Sequence, residues 1–149
     1  MGELNTFPVS YKVKGQRIVI VGGGEEALNK ARLAAKTTAS VVILSQNFTV
    51  SFEGLAVEVL ARRFTPDVLD GAALVFVAEQ SADAEPAQVE ARRRHIPLNV
   101  VDTPEECDFY VPSIVDRAPL MVAVSTEGDA PVLARLVRAR IEAMLSPNT

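Results

Sequence analysis

Short β-branched apolar runs alternate along this chain with stretches whose apolar residues recur at helical spacing. Arg17–Val21 (RIVIV) reads as a strand buried on both faces, as a parallel sheet requires. Glu25–Thr38 follows as a helix, with Ala27, Ala31, Ala34 and Ala35 offering a small face for close packing on a sheet. Ser40–Leu44 (SVVIL) is a second buried strand, and Ala56–Leu60 a weaker third, reached through the Asn47–Gly54 loop. A short helical stretch around Pro66–Leu69 leads into Leu74–Ala78 (LVFVA), the fourth strand. Ala84–Arg94 reads as a helix with a polar, basic outer side, and Leu98–Val101 as a fifth strand. Strands alternating with helices predict a parallel α/β sheet with right-handed crossovers.

The pattern changes near Pro112. Ile114-Val115, a turn at Asp116-Arg117-Ala118-Pro119 and Leu120–Ser125 predict a hairpin. Val132–Leu145 predicts a helix on which Leu133, Leu136, Val137, Ile141 and Met144 fall at helical spacing. Asp129 is its expected cap, and Pro131 sits in its first turn. The boundary is set at Pro112–Ser113, which gives an α/β domain over residues 1–112 and a hairpin–helix segment over 113–149.

Composition narrows the function classes. Of 149 residues 48% are hydrophobic, enough to bury a core. No apolar run approaches the roughly 18 residues of a membrane span. The start, MGELNTFPVSYKVKG, lacks a charged-then-apolar export pattern. A soluble, cytoplasmic protein is expected, without a membrane partner. Cys107 is the single cysteine and His95 the single histidine, so neither an internal disulfide nor a zinc cluster is expected. A net charge of −4 disfavours a general role on nucleic acid.

The chemistry-bearing motif is Val21-Gly22-Gly23-Gly24-Glu25-Glu26-Ala27, a G-x-G-x-x-A pattern that leaves a strand and opens a helix. Gly22 permits the tight turn, Gly24 lets the backbone approach a pyrophosphate, and Ala27 allows close helix–strand contact. The helix N-terminus adds free amides and partial positive charge. Gly22, Gly23 and Gly24 are therefore candidate dinucleotide contacts; the competing reading is a tight glycine turn without a ligand. The acid that would hold a ribose about 20 residues on is missing. Val42–Gln46 contains none, and Ser45, Gln46 and Asn47 are the polar groups there. No arginine at that place invites a 2′-phosphate. Glu25 and Glu26 suit the helix dipole but would repel a phosphate they faced.

Ligands of open α/β sheets bind beyond the carboxyl ends of the strands. One residue past each strand come Gly22, Ser45, Glu79 and Asp102. Asp102, beside an apolar strand, is a candidate general base with an expected raised pKa; the alternative is a turn aspartate opening Asp-Thr-Pro. Glu79 is the weaker candidate for that role and, at this edge, a candidate cofactor contact; the alternative is a polar loop at Glu79-Gln80-Ser81. His95 at a helix end reads as a solvated cap. Cys107 stands among Glu105, Glu106 and Asp108, which would raise its pKa, so it is not expected to act as a nucleophile. Arg135, Arg138 and Arg140 read as a solvated helix face.

Val21-Gly22-Gly23-Gly24, Lys30-Ala31-Arg32, Asn99-Val100-Val101-Asp102, Phe109 through Ser125 (FYVPSIVDRAPLMVAVS) and Pro131-Val132-Leu133-Ala134-Arg135 together resemble the siroheme synthase N-terminal module, the precorrin-2 dehydrogenase and sirohydrochlorin ferrochelatase family. The resemblance implies a Rossmann-like parallel sheet with helices on both faces, followed by the start of a dimerisation region at 113–149. It implies NAD-dependent oxidation of precorrin-2, a tetrapyrrole, to sirohydrochlorin. In many members ferrous iron is then inserted as a chelatase substrate. It implies that Asp102 is the acid/base group, that Glu25-Glu26 and Gln46-Asn47 fall at the cofactor contacts, and that members pair as homodimers. The loop Ser125-Thr126-Glu127-Gly128-Asp129 matches a serine- and glycine-rich loop, making Ser125 and Thr126 candidate substrate contacts. Departures occur at Glu26, at Asn29 and at Glu79-Gln80-Ser81, where the family carries a threonine with acidic neighbours. The family continues into a further helical portion, so the chain is expected to be a fragment. Two other readings stay open: a dehydrogenase without chelatase activity, and a non-catalytic dinucleotide-binding or sensing module.

Overall fold

The structure, a computed structural model, describes residues 2–145. Five parallel strands are present: β1 (Arg17–Val21), β2 (Ser40–Ser45), β3 (Val57–Ala61), β4 (Ala72–Val77) and β5 (Leu98–Val100). They lie in the order β3-β2-β1-β4-β5. The chain thus steps outward from β1 to one side and then restarts on the other. The crevice between β1 and β4 is the point where such sheets bind ligands. β1 and β2, buried almost throughout, supply Ile20, Ile43 and Leu44 to the core. Each such side chain contributes about 1.5–3 kcal/mol of burial.

Helix α1 (Glu25–Ala34) connects β1 to β2, and α2 (Ala84–Arg93) connects β4 to β5. Because β2 and β5 lie on opposite sides of the β1–β4 pair, right-handed crossovers put the two helices on opposite faces. The small face of α1 forms as expected, with Ala27, Ala31 and Ala34 buried. The helix ends earlier than its pattern suggests. Thr37 Oγ1 donates to the Ala34 carbonyl at 2.7 Å, so the local threonine bond replaces a further helical turn. No helix joins β2 to β3, and a single 3-10 turn at Pro66–Leu69 precedes β4. Helix α2 closes on His95, which takes φ 57°. The Ile96 amide donates to Ala91 O (2.9 Å) and that of His95 to Arg92 O (3.1 Å), the bond pair of a Schellman cap.

At the outer end of α2, Glu90 accepts hydrogen bonds from Arg93 and from Arg94 Nε (2.6 Å). Arg94 also donates to Asp70 Oδ1 (2.8 Å) and Pro66 O (3.0 Å), tying α2 to the 3-10 turn. The bonds from Arg93 and then Arg94 hold the Glu90 carboxyl at about 2, down from 4.5. Its folded pKa lies below the unfolded one, so its contribution is complete above about pH 4.5 and fades as pH falls through about 2. Urea midpoints of Glu90→Gln should therefore fall less steeply between those pH values than those of the wild type. Parallel acid limbs in the two proteins would contradict this.

Val9–Phe109 forms one compact unit, and the segment from Tyr110 onward joins the N-terminal stretch through Pro8 in a second. The break thus falls slightly before Pro112–Ser113. The N-terminal stretch is held within the second unit by Glu127, whose Oε2 accepts from Asn5 N (2.8 Å) and Thr6 Oγ1 (2.6 Å). In that unit β6 (Ser113–Arg117) and β7 (Leu120–Val124) pair antiparallel around a cis Ala118–Pro119 bond, and α3 spans Pro131–Met144. Asp129 does not cap α3. Ala130 is the cap residue, and its amide donates to Thr126 Oγ1 at 3.0 Å. The end of the expected 132–145 helix falls at Met144, and residues 146–149 lie outside those described. No helix of the described residues is long and apolar enough to cross a membrane.

Candidate functional site

Between Val21 and Glu25 the chain leaves the sheet and enters α1 through three glycines. Gly22 takes φ 148°, open only to glycine, while its amide donates to Leu44 O at 2.9 Å. Gly24 is the helix cap residue. The turn is packed against the loop after β2. A Cβ on Gly23 would stand 2.4 Å from Asn47 O and 2.9 Å from Phe48 Cα. Thr49 donates to Gly23 O from both its amide (2.8 Å) and its hydroxyl (3.2 Å). Ser45 Oγ in turn donates to Asn47 O (3.0 Å) and accepts from Asn47 N (3.1 Å), which fixes the loop.

A cleft of about 410 Å³ opens above this turn at the carboxyl ends of β1, β2 and β4. It gathers seven of the residues named from sequence: Gly22, Gly23, Gly24, Ser45, Gln46, Asn47 and Glu79. Glu25 and Glu26, named from sequence as cofactor contacts, are not part of its lining, although both stand in the first turn of α1. Thr49, Gln80, Ser81, Ala82 and Asp83 complete the wall. Among the described residues it carries two carboxylates and no lysine or arginine.

Asp83 is the residue that sequence reasoning missed. It is 2% exposed, and its Oδ1 accepts from the Phe64 amide at 2.9 Å. Gln46 Nε2 donates to both of its oxygens, at 3.1 and 3.2 Å. A carboxylate from the loop before α2 thus lies against Gln46, the residue that follows β2. The available signal was its position ahead of the Ala84–Arg94 helical pattern, which reads as a cap. Asp83 is indeed the cap residue, but its side chain makes no capping bond and accepts instead from Phe64 and Gln46.

Glu79 reaches from the end of β4 over the glycine turn. Its Oε1 accepts from the Ala27 amide at 3.1 Å, and its Oε2 is buried without a hydrogen-bond partner.

Asp102 follows β5, the neighbour of β4, at the same edge of the sheet, and is not part of the cleft lining. It is exposed, where the chain turns outward with Asp102 at φ 63°. Aspartate tolerates this left-handed conformation better than most residues. The preceding Asn99 is buried and donates to Phe109 O at 2.9 Å, while Phe76 and Phe109 meet edge-to-face at 5.4 Å. In Asn99-Val100-Val101-Asp102, then, the asparagine anchors the following segment and the aspartate is free at the rim. Cys107 Sγ lies 3.2 Å from both the amide and the carbonyl of Val100. Burial first, then the charges of Asp108, Glu105 and Glu106, push its thiol pKa up, as expected of a non-nucleophilic cysteine, although burial outranks the charges.

Ser125 and Thr126 belong to the second unit. Ser125 Oγ accepts from Glu127 N (3.0 Å) and Thr126 Oγ1 from Ala130 N (3.0 Å), so both hydroxyls shape the turn into α3. Arg138 pairs with Glu142 on the same helix. Among the described residues no group of three or more His, Cys, Asp and Glu is arranged to hold a metal ion.

A family model described as "Putative NAD(P)-binding" matches residues 9–113, and one described as sirohaem biosynthesis protein central matches residues 117–144. The siroheme synthase of Methylobacillus flagellatus is 46% identical over 147 residues, which are 95% of this chain and 32% of that protein. Those of Nitrosomonas eutropha and Pseudomonas entomophila are 42% and 44% identical, with 95% of this chain and 31% and 32% of theirs covered. The chain therefore spans about a third of the length of these relatives. Among solved structures, a precorrin-2 dehydrogenase, SirC, matches with a TM-score of 0.77 at 17% identity, over 95% of this chain and 72% of that one, which supports the fold. With a glycine turn at the β1–β4 switch point and both family models in sequence order, the chain belongs to the NAD(P)-binding family found at the N-terminus of siroheme synthases.

Proposed function

We propose that this chain binds NAD in the cleft above Gly22–Gly24 and oxidises precorrin-2 to sirohydrochlorin, using Asp102 as the proton acceptor. The observation that carries the cofactor half is the pairing of the glycine turn with Asp83 at the end of β2. The glycines carry no Cβ at a turn where one would crowd the cradle, and the first turn of α1 directs amides and partial positive charge at a pyrophosphate. To Asp83, held by Phe64 and Gln46 in the wall of the cleft, we assign the ribose contact that an acid makes in such folds. NAD supplies a hydride acceptor. The substrate half is supported by the relatives, which bear the name siroheme synthase, and by the motif around Asp102.

The chain's own part in the chemistry is positioning and one proton. Oxidation breaks a C–H bond of the macrocycle, whose electron pair leaves with the hydride, and a second hydrogen departs as a proton. Asp102, solvent-facing at the rim of the same sheet edge, takes that proton and passes it to water. Ferrous iron belongs to this reading as a later substrate, not a resident group. We also propose that two copies associate through the hairpin–helix segment, where Leu120, Met121, Val132, Leu133, Leu136 and Met144 are exposed. Ser125 and Thr126 contribute here by shaping the loop before α3.

Titration with both dinucleotides tests the cofactor half. NAD should bind at least about tenfold more tightly than NADP, because an added 2′-phosphate would face Asp83 with no cation in the wall. Asp83→Asn, which still accepts from Phe64, should narrow that ratio. Equal affinity of the wild type for the two would contradict the assignment.

A further inference from the structure

The carboxylate of Glu79 occupies the place where the pyrophosphate is expected. A Cβ on Gly22 would fall 1.9 Å from Glu79 Oε2, and one on Gly24 would fall 2.9 Å from Oε1. The carboxylate thus fills the space that these two glycines leave open. Oε1 takes the Ala27 amide, one of the first-turn donors that a phosphate would otherwise use. Oε2 has no partner and is buried, a position in which a charged oxygen is costly. What keeps it there is the same field that draws a phosphate: the amide and the N-terminal dipole of α1.

We propose that Glu79 is an internal stand-in for the pyrophosphate, and that the dinucleotide binds only after this side chain has swung out of the cradle. The proposal rests on the dinucleotide reading of the cleft and reverses the role that position alone gave Glu79, from cofactor contact to competitor. Two anions cannot share one set of donors, and no lysine or arginine in the wall would neutralise the pair. The apparent affinity is then lowered by the fraction of molecules with the cradle open. Glu79, two residues beyond β4, sets how tightly this chain holds its dinucleotide. Its exit leaves the Ala27 amide to the ligand and takes the unpaired oxygen into water.

The test is equilibrium binding of NAD to the whole chain as wild type, Glu79→Gln and Glu79→Ala, with thermal melts to show that each variant is folded. Glu79→Gln removes the charge but keeps the bulk, and should tighten binding several-fold. Glu79→Ala removes both and should tighten it about tenfold or more. Inorganic pyrophosphate, used as a second probe, should gain affinity in the same order. If wild type binds NAD and the folded variants bind it equally or more weakly, Glu79 is a ligand contact or a bystander, and the stand-in role is overturned while the dinucleotide reading stands. If neither the wild type nor the variants bind NAD, both fall.

Discussion

Asp102→Asn should lower the rate of precorrin-2 oxidation by about 10²–10⁴-fold, the usual worth of a positioned general base, while leaving the melting temperature and NAD affinity close to wild type. The expectation is this specific because of the backbone at Asp102. The residue holds φ 63°, which asparagine also tolerates, and its side chain is exposed, so the substitution removes the proton acceptor without opening a cavity. Asp102→Ala should lose as much rate and in addition about 1 kcal/mol of stability, because alanine accepts the left-handed conformation less readily. Single-turnover spectra with saturating NAD separate the two effects. An unchanged rate in Asp102→Asn would remove the residue from the mechanism.

Gly23→Ala should cost about 1–3 kcal/mol of stability and weaken NAD binding by more than about tenfold. The new methyl would meet Asn47 O at 2.4 Å and Phe48 Cα at 2.9 Å, both backbone atoms that no side-chain rotation can clear. Relief requires the glycine turn to part from the 45–49 loop, breaking the two Thr49 bonds to Gly23 O and displacing the cradle itself. Gly54→Ala is the control. It is also strained, at φ 86°, but has open space around it and lies outside the cleft. It should lose about 1 kcal/mol with NAD affinity intact. Equal losses of affinity in the two variants would show that destabilisation, not the cradle, governs binding.

What was legible in the chain was local. Arg17–Val21, the three glycines and Ala27 specify a strand–turn–helix through spacing and side-chain size, and the structure forms it. The five strands and the 114–124 hairpin follow from short apolar runs in the same way. What stayed hidden depends on partners distant in sequence. Asp83 gains its place through Phe64, 19 residues away, and Gln46, 37 away, and nothing in Ser81-Ala82-Asp83 announces either. Glu79 is placed at the sheet edge by its position after the fourth strand, but its bond to an amide 52 residues off cannot be read from Glu79-Gln80-Ser81. The tie between the N-terminal stretch and Glu127 spans more than a hundred residues. Smaller differences have local causes too: a threonine bond ends α1 early, and α3 starts from Ala130, whose own amide goes to Thr126, without a side-chain cap from Asp129.

The most direct measurement mixes this chain with precorrin-2 and NAD and follows the macrocycle spectrum together with NADH. Sirohydrochlorin should appear in step with NADH, one for one, and neither should form when NAD is withheld. A folded chain that binds NAD yet forms neither product, alone or joined to the segments that follow in its relatives, would contradict it.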